Sequence, residues 1–309
     1  MTIRISLALL AVVLAAMAYP WQSVIDRWIV GGAVAVMLIT FAWWRGLFLT
    51  TMLSRRIAMW RRRGTTPARR HADRMMILLQ VDDPAGVDLS LPLVAGYVDR
   101  FGVRCASVRI TSRDRVGART TWIGMTLDAV DNLAALRARS PDLPLYDTTE
   151  VVGRRLADHL RETGLEVTAV NAAAALLGQS GRETWTGVDD EFGFVSAYGL
   201  RVDDRLGDRL AEVSAQPTET WVTLEFSGTT ARPTVAAACA VRTAEPVRGA
   251  PLDGLVVHRG AQRPLLTALD PTSAGRLGIA EVPVPDGLLE RITWRVGSTK
   301  SAPVQQSHL

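Results

Sequence analysis

The chain has 309 residues, 48% of them apolar, a mean hydropathy of +0.14, a net charge of +4 and a pI near 9.6. The charge is unevenly placed: residues 1–74 hold 11 arginines against two acids, a net of +9, whereas residues 75–309 carry a net of −5. A basic total that averages an acidic body with arginines crowded beside apolar segments excludes the footprint of a nucleic-acid binder, so no nucleic-acid partner is expected, and points to a membrane-anchored protein.

Residues 1–52 read as a transmembrane hairpin, with helices over about 3–19 and 28–49, since about 20 apolar residues cross the hydrocarbon core. The second segment is interrupted only by Arg45, which can snorkel toward the headgroups. Trp21, Trp28, Trp43 and Trp44 fall near segment ends, where indoles prefer the interface. Gly31, Gly32 and Ala35 are small enough to let a second helix approach closely. Ala16-Met17-Ala18 after Arg4 resembles a signal-peptidase site, so cleavage is the alternative; the compact Pro20-Trp21-Gln22-Ser23 turn with Asp26 and Arg27 favours the hairpin.

Residues 53–74 form a basic juxtamembrane segment with Arg55, Arg56, Arg61, Arg62, Arg63, Arg69, Arg70 and Arg74. The connection over residues 20–27 has no net charge, so the positive-inside rule orients the chain with both the N-terminus and the C-terminal body in the cytoplasm. Each arginine near an anionic leaflet contributes about 1 kcal/mol, which makes membrane lipids a partner of this stretch.

Residues 75–296 read as one cytoplasmic domain, α/β or α+β, with no internal repeat, and residues 297–309 as a disordered polar tail. The apolar run 75–81, closed by Asp82-Asp83-Pro84, suits a strand buried on both faces. A helix is predicted over 91–101, stopped by Gly102. A hairpin follows, with Ala106, Val108 and Ile110 on one strand, Ile123, Met125 and Leu127 on the other, and Asp114 and Gly117 in the turn. Asp128 is placed to cap a helix over 129–139 with Val130, Leu133 and Leu136 on one side. Asp147 and Glu150 have capping-box spacing at the start of another, whose Val152, Leu156 and Leu160 recur every four residues and which Gly164 stops. Its charged face, Arg154, Arg155, Asp158, Arg161 and Glu162, reads as solvated, with Glu150 supporting Arg154 at i,i+4. Strands are predicted over 166–170, 194–202, 221–227 and 234–242, a helix over 203–214, and loops laid across a sheet from 245 to 286.

Catalytic signals are few. No Gly-Lys pair, G-x-G-x-x-G or G-x-S-x-G occurs, and the four histidines are not paired at metal-ligand spacing. The single lysine, Lys300, lies in the tail, and arginine cannot replace lysine as a base or Schiff-base former. Cys105 and Cys239 read as small core residues. Asp82 and Asp83 after the first strand are the one suggestive acidic site, compatible with metal-dependent nucleotide-sugar chemistry but equally with a turn; Asp189-Asp190-Glu191 is a second, weaker cluster. No catalytic residue, metal or cofactor is assigned.

The order of anchor, basic stretch and acidic body resembles EccE, a membrane component of the actinobacterial type VII (ESX) secretion machinery. The likeness is carried by Pro20-Trp21-Gln22 with Arg27-Trp28, by Ala42-Trp43-Trp44 with Phe48-Leu49-Thr50-Thr51, by the run from Val130 to Leu136, and most by residues 147–161, DTTEVVGRRLADHLR. It is closest to the EccE of the ESX system associated with iron and zinc acquisition. The resemblance implies a non-enzymatic structural subunit of an inner-membrane complex with EccB, EccC and EccD, in which EccC is the ATPase and EccD the neighbour. It also implies a degenerate glycosyltransferase-like fold for the body. A membrane-tethered glycosyltransferase or nucleotide-sugar binder using Asp82 and Asp83 is the alternative from the residues.

Overall fold

The computed structural model describes residues 73–247 and 249–297, together with Trp43–Trp44 and Leu47–Phe48. The chain divides into two compact units, Met1–Pro67 and Ala68–Leu309. In the first, the described residues form a two-rung antiparallel ladder, Trp43 opposite Phe48 and Trp44 opposite Leu47. These four residues, within the span predicted as helix through residue 49, are paired as strand. The remainder of the predicted transmembrane helices, the basic stretch through residue 72 and the tail after Gly297 lie outside the described residues. Among the described residues, no helix is long and apolar enough to cross a membrane.

The second unit is a mixed helix and strand body dominated by one antiparallel sheet. Its elements in chain order are β1 (Arg74–Asp82), α1 (Leu91–Ala95) with a 3-10 turn (Gly96–Val98), β2 (Asp99–Arg100), β3 (Val103–Arg115), β4 (Ala118–Asp128), α2 (Leu133–Arg139), α3 (Leu145–Glu162) and β5 (Glu166–Val170). There follow β6 (Arg182–Glu183), β7 (Val188–Asp190), β8 (Gly193–Leu200), α4 (Leu206–Ser214), β9 (Thr220–Thr229), β10 (Arg232–Thr243), β11 (Leu255–Val257), α5 (Gln262–Leu269), β12 (Val282–Pro283) and α6 (Leu288–Arg291). Across the sheet the order is β5-β1-β4-β3-β9-β10-β8-β7-β6, with β2 on β3, β11 on β8 and β12 on β10.

That order contains a repeat the sequence does not show. Strand, helix and two-residue hairpin recur as β1-α1-β3-β4 and as β8-α4-β9-β10. In each the first strand pairs with the last strand of the hairpin, and the two units meet where β3 pairs with β9, Thr111 opposite Thr223. With α3 and β5 added, the first half is a ferredoxin-like βαββαβ arrangement.

Period-two alternation sends the strand side chains to two cores. On one face Leu79, Val81, Val108, Ile110, Met125, Val222, Leu224 and Val235 pack under α1, α3, α4 and α6; on the other Trp221, Ala236, Ala238 and Ala240 pack under α5 and the segments at Leu176 and Leu277. The predicted strands and the stripe Val152, Leu156, Leu160 are found as expected, as are the buried cysteines. Burial, with a smaller contribution from Asp99, pushes the Cys105 thiol up to about 12, so it is an inert core group.

Several local expectations are corrected. The helix from 91 ends at Ala95 and passes through the 3-10 turn into β2. Helix α2 starts at Leu133, because the Asn132 amide bonds the backbone of Arg104 and Asp128 and Asp128 caps the Val130 turn instead; Val130 is 72% exposed. Helix α3 starts at Leu145 with Pro144 at its N-cap, which leaves Asp147 in the first turn, where it complements the helix dipole. Helix α5 was predicted as loop: Pro264 reads as a breaker, but it sits in the first turn, where the missing N–H costs little.

Gly153 lies in the middle of α3, where glycine costs about 1 kcal/mol relative to alanine. A Cβ there would sit 2.6 Å from Ile77 Cδ1, so its absence lets α3 lie close on β1. Gly153→Val is expected to destabilise the body by about 1–3 kcal/mol through overpacking. Arg154→Ala, next in sequence, breaks only the exposed 2.6 Å pair with Glu150 and is expected to cost less than about 0.5 kcal/mol. Urea unfolding followed by tryptophan fluorescence separates the two.

Candidate functional site

The acidic residues singled out in the sequence do not converge. Asp83 is buried at the end of β1, and its carboxylate accepts the amides of Ala85 (3.2 Å), Gly86 (2.6 Å) and Asp88 (3.1 Å). Burial opposes its ionisation, but these amides and that of Val87 outweigh it and hold the carboxyl below its usual range. Its oxygens are thus occupied by the turn that Asp-Pro starts. Asp82, its neighbour on a strand, faces the opposite side of the sheet, in register with Glu166 and 3.4 Å from the Gln80 amide.

The second cluster is likewise divided. Asp190 takes the Arg242 guanidinium at 2.6 Å and the Gly178 amide at 2.9 Å, while Glu191 accepts from Ser180 Oγ (2.7 Å) and the Gln179 amide (3.0 Å). The Ser180 hydroxyl and neighbouring amides bring Glu191 down to about 2. Among the described residues no group of three or more His, Cys, Asp or Glu side chains is arranged to hold a metal. A cleft of about 310 Å³ opens where β5 ends beside β1, lined by Met75, Met76, Tyr146, Thr149, Val170 and Thr272; its one carboxylate, Glu150, is held by Arg154.

Sequence reading missed two polar assemblies inside the body. In the first, Arg109 on β3 and Glu225 on β9 pair at 2.6 Å, 5% and 1% exposed. Arg109 also donates to the carbonyls of Ala268 (2.6 Å), Ser273 (3.1 Å) and Gly275, and Glu225 accepts from Arg276 (3.0 Å) and the Leu277 amide (3.3 Å). In the second, Arg242 joins Asp190 to Glu219 (3.3 Å), which also holds Arg113, and both arginines lie over the Trp221 ring at 5.7 and 5.5 Å. The available signal is a charged residue between apolar positions on predicted strands. Such alternation is indistinguishable from a solvated face until the 268–277 segment covers it.

Of the arginines assigned to membrane orientation, Arg74 is described: it begins β1 and pairs with Asp128 at 2.9 Å. Arg55, Arg56, Arg61, Arg62, Arg63, Arg69 and Arg70, the helix-packing candidates Gly31, Gly32 and Ala35, and the interface aromatics Trp21 and Trp28 lie outside the described residues.

What the surface offers is a contact feature. Phe101 and Gly102 form the two-residue connection of the β2–β3 hairpin, with φ of +57° and +72°. Positive φ at both positions marks a type I′ turn, which prefers Asn-Gly. A left-handed phenylalanine costs about 1–2 kcal/mol, and Phe101 is 56% exposed as a residue. The guanidinium groups of Arg100 and Arg155 lie 5.0 and 4.7 Å from its centroid, and Tyr97 meets it edge-on at 6.2 Å. His159 on α3 has its Nδ1 3.4 Å from the Tyr97 hydroxyl.

The buried arginines Arg109 and Arg242 are held in ion pairs, and an Arg-aromatic turn faces solvent. A family model described as "Putative type VII ESX secretion system translocon, EccE" matches residues 115–200, from the β3–β4 turn through β8. The chain is 51% identical over 288 residues to the ESX-3 secretion system protein EccE3 of Mycolicibacterium smegmatis, covering 92% of this chain and 93% of that protein. It is 44% identical over 302 residues to the protein of the same name from Mycobacterium tuberculosis, covering 94% and 91%. These likenesses are to components of type VII secretion. Within that class, the chain belongs to the EccE family.

Arg109→Met leaves Glu225 buried without its main cation and is expected to destabilise the body by about 3–5 kcal/mol. The Arg109→Met/Glu225→Met double variant should lose less than the sum of the single changes, measured as a double-mutant cycle by urea unfolding. The pH response follows from Asp190 and Asp128. Burial opposes their ionisation, yet Arg242 and Arg74 respectively, with backbone amides, hold both below the usual carboxylate range. Their contribution is therefore complete above the unfolded value of about 3.9 and is lost as pH falls through the lowered folded values. Asp190→Asn should accordingly flatten the acid limb of stability against pH and leave its slope near neutrality unchanged.

Proposed function

We propose that this chain is a non-enzymatic structural subunit of an ESX secretion complex in the plasma membrane, bracing its cytoplasmic side. The observation that carries the reading is the end-to-end likeness, 91% or more of both chains, to proteins named for the ESX-3 secretion system. In this reading residues 1–52 are a two-pass anchor packed through Gly31, Gly32 and Ala35, with Trp21, Trp28, Trp43 and Trp44 near the interfaces. The arginines from Arg55 to Arg74 keep the N-terminus and the body on the cytoplasmic side. EccD is the adjacent subunit, and EccB and the EccC ATPase belong to the same assembly. The iron- and zinc-acquisition setting follows from the same kinship, as does descent from a glycosyltransferase-like fold.

The occupation of Asp83 by its own turn and the opposite facing of Asp82 support a body that works without catalysis. Purification of the detergent-solubilised complex through a tag on EccC or EccD is expected to bring this chain along in fixed proportion; its absence from intact complex would overturn the reading. Calorimetry with a uridine-diphosphate sugar and manganese is expected to give no saturable heat. Saturable binding abolished by Asp82→Ala would establish the nucleotide-sugar alternative instead.

A further inference from the structure

We infer that the Phe101 turn is a docking point for an acidic, apolar-tipped segment of a neighbouring subunit; the inference rests on the subunit reading above and names the surface it uses. The argument begins with the backbone. A type I′ turn is best served by Asn-Gly, and here the first central position holds a bulky ring in the left-handed region. Burial does not account for it, because Phe101 is an exposed residue. A large, exposed aromatic at a strained position is the kind of group that interface hot spots use.

The charges around it define the partner. Arg100 lies over the rings of Tyr97 and Phe101, and Arg155 over Phe101; neither makes an ion pair among the described residues. Nearby acids are already engaged, Asp99 with Arg104, Asp158 with Arg161 and Glu150 with Arg154. The turn therefore presents an apolar ring between two guanidinium groups that have donors to spare, which fits carboxylates flanking an aliphatic or aromatic side chain. Two cations flanking a single ring form a local site with an apolar centre, which matches one protein segment better than the diffuse charge of an anionic membrane. Geometry also gives the turn a rigid base: Tyr97 is buried and its hydroxyl donates to the Arg155 carbonyl at 3.1 Å, tying the turn to α3.

The experiment uses the full chain in its native membrane and compares wild type with Phe101→Asn and with Arg100→Glu/Arg155→Glu, purified through a tag on another subunit. Phe101→Asn suits the turn better than the native residue, so its unfolding midpoint is expected to stay the same or rise by about 2–4 °C. Its recovery with the complex is expected to fall about tenfold, as is that of the charge-reversed variant; Phe101→Tyr should retain it. A purely structural Phe101 would give the opposite pattern, a lower midpoint with unchanged recovery. Wild-type recovery of both variants, each folded, would overturn the docking inference and leave the subunit reading intact, whereas loss of the wild-type chain from the complex would overturn the subunit reading itself. A photoreactive phenylalanine analogue at position 101 should cross-link to a peptide that contains Asp or Glu; a lipid adduct, or a peptide without carboxylates, would overturn the assignment.

Discussion

At the middle of the sheet the Arg109 guanidinium meets the Glu225 carboxylate, and most of what distinguishes the body from a plain layered domain depends on that contact. It bridges β3 and β9, the strands at which the two βαββ units join, and on the same face it gathers carbonyls from the end of α5 and the segment that follows. Taking two charges out of water costs several kcal/mol per ion, and the pair persists because nearly every remaining donor and acceptor is filled by backbone or by Arg276. Together with the bonds of Arg276 to Ala106 and Ser227 and those of Glu281 to Ser227 and Thr234, it fixes where the 268–281 segment crosses the sheet.

The second assembly, from Arg113 through Glu219 and Arg242 to Asp190, does the same for the other end of that face, ordering the loops at Leu176 and Gly178 around Trp221. Both lie opposite the larger helical layer, where packing is almost wholly apolar. The body thus combines a conventional helix-on-sheet core with a second face whose cover is set by directional bonds. Asp190, which reads in the sequence as part of an acidic cluster, is engaged in that architecture.

Much of the fold was legible because its local signals agree with its tertiary use. The stripe of α3, the hairpin around Gly117 and the alternation of β9 and β10 each bury what their period says they bury. The candidate site was legible only in part. Asp82 and Asp83 stand out as a pair in sequence, yet strand geometry separates their side chains by construction, and Asp-Pro turn chemistry takes one of them. Phe101 reads as the last residue of a helix, since a helix and a helix that unwinds into a two-residue hairpin share the same apolar spacing.

By itself the sequence determined the charge division between residues 1–74 and the body, the strand and helix periods of the body, and the kinship of the chain, because each is a property of residue order or composition. Tertiary structure alone decided that the body is built on two topologically equivalent βαββ units, since strand order across a sheet leaves no mark on any local period. It alone decided, too, that Arg109 and Glu225 are interior rather than solvated: alternation fixes which face a side chain takes, and only the packing of a distant segment settles whether that face meets water.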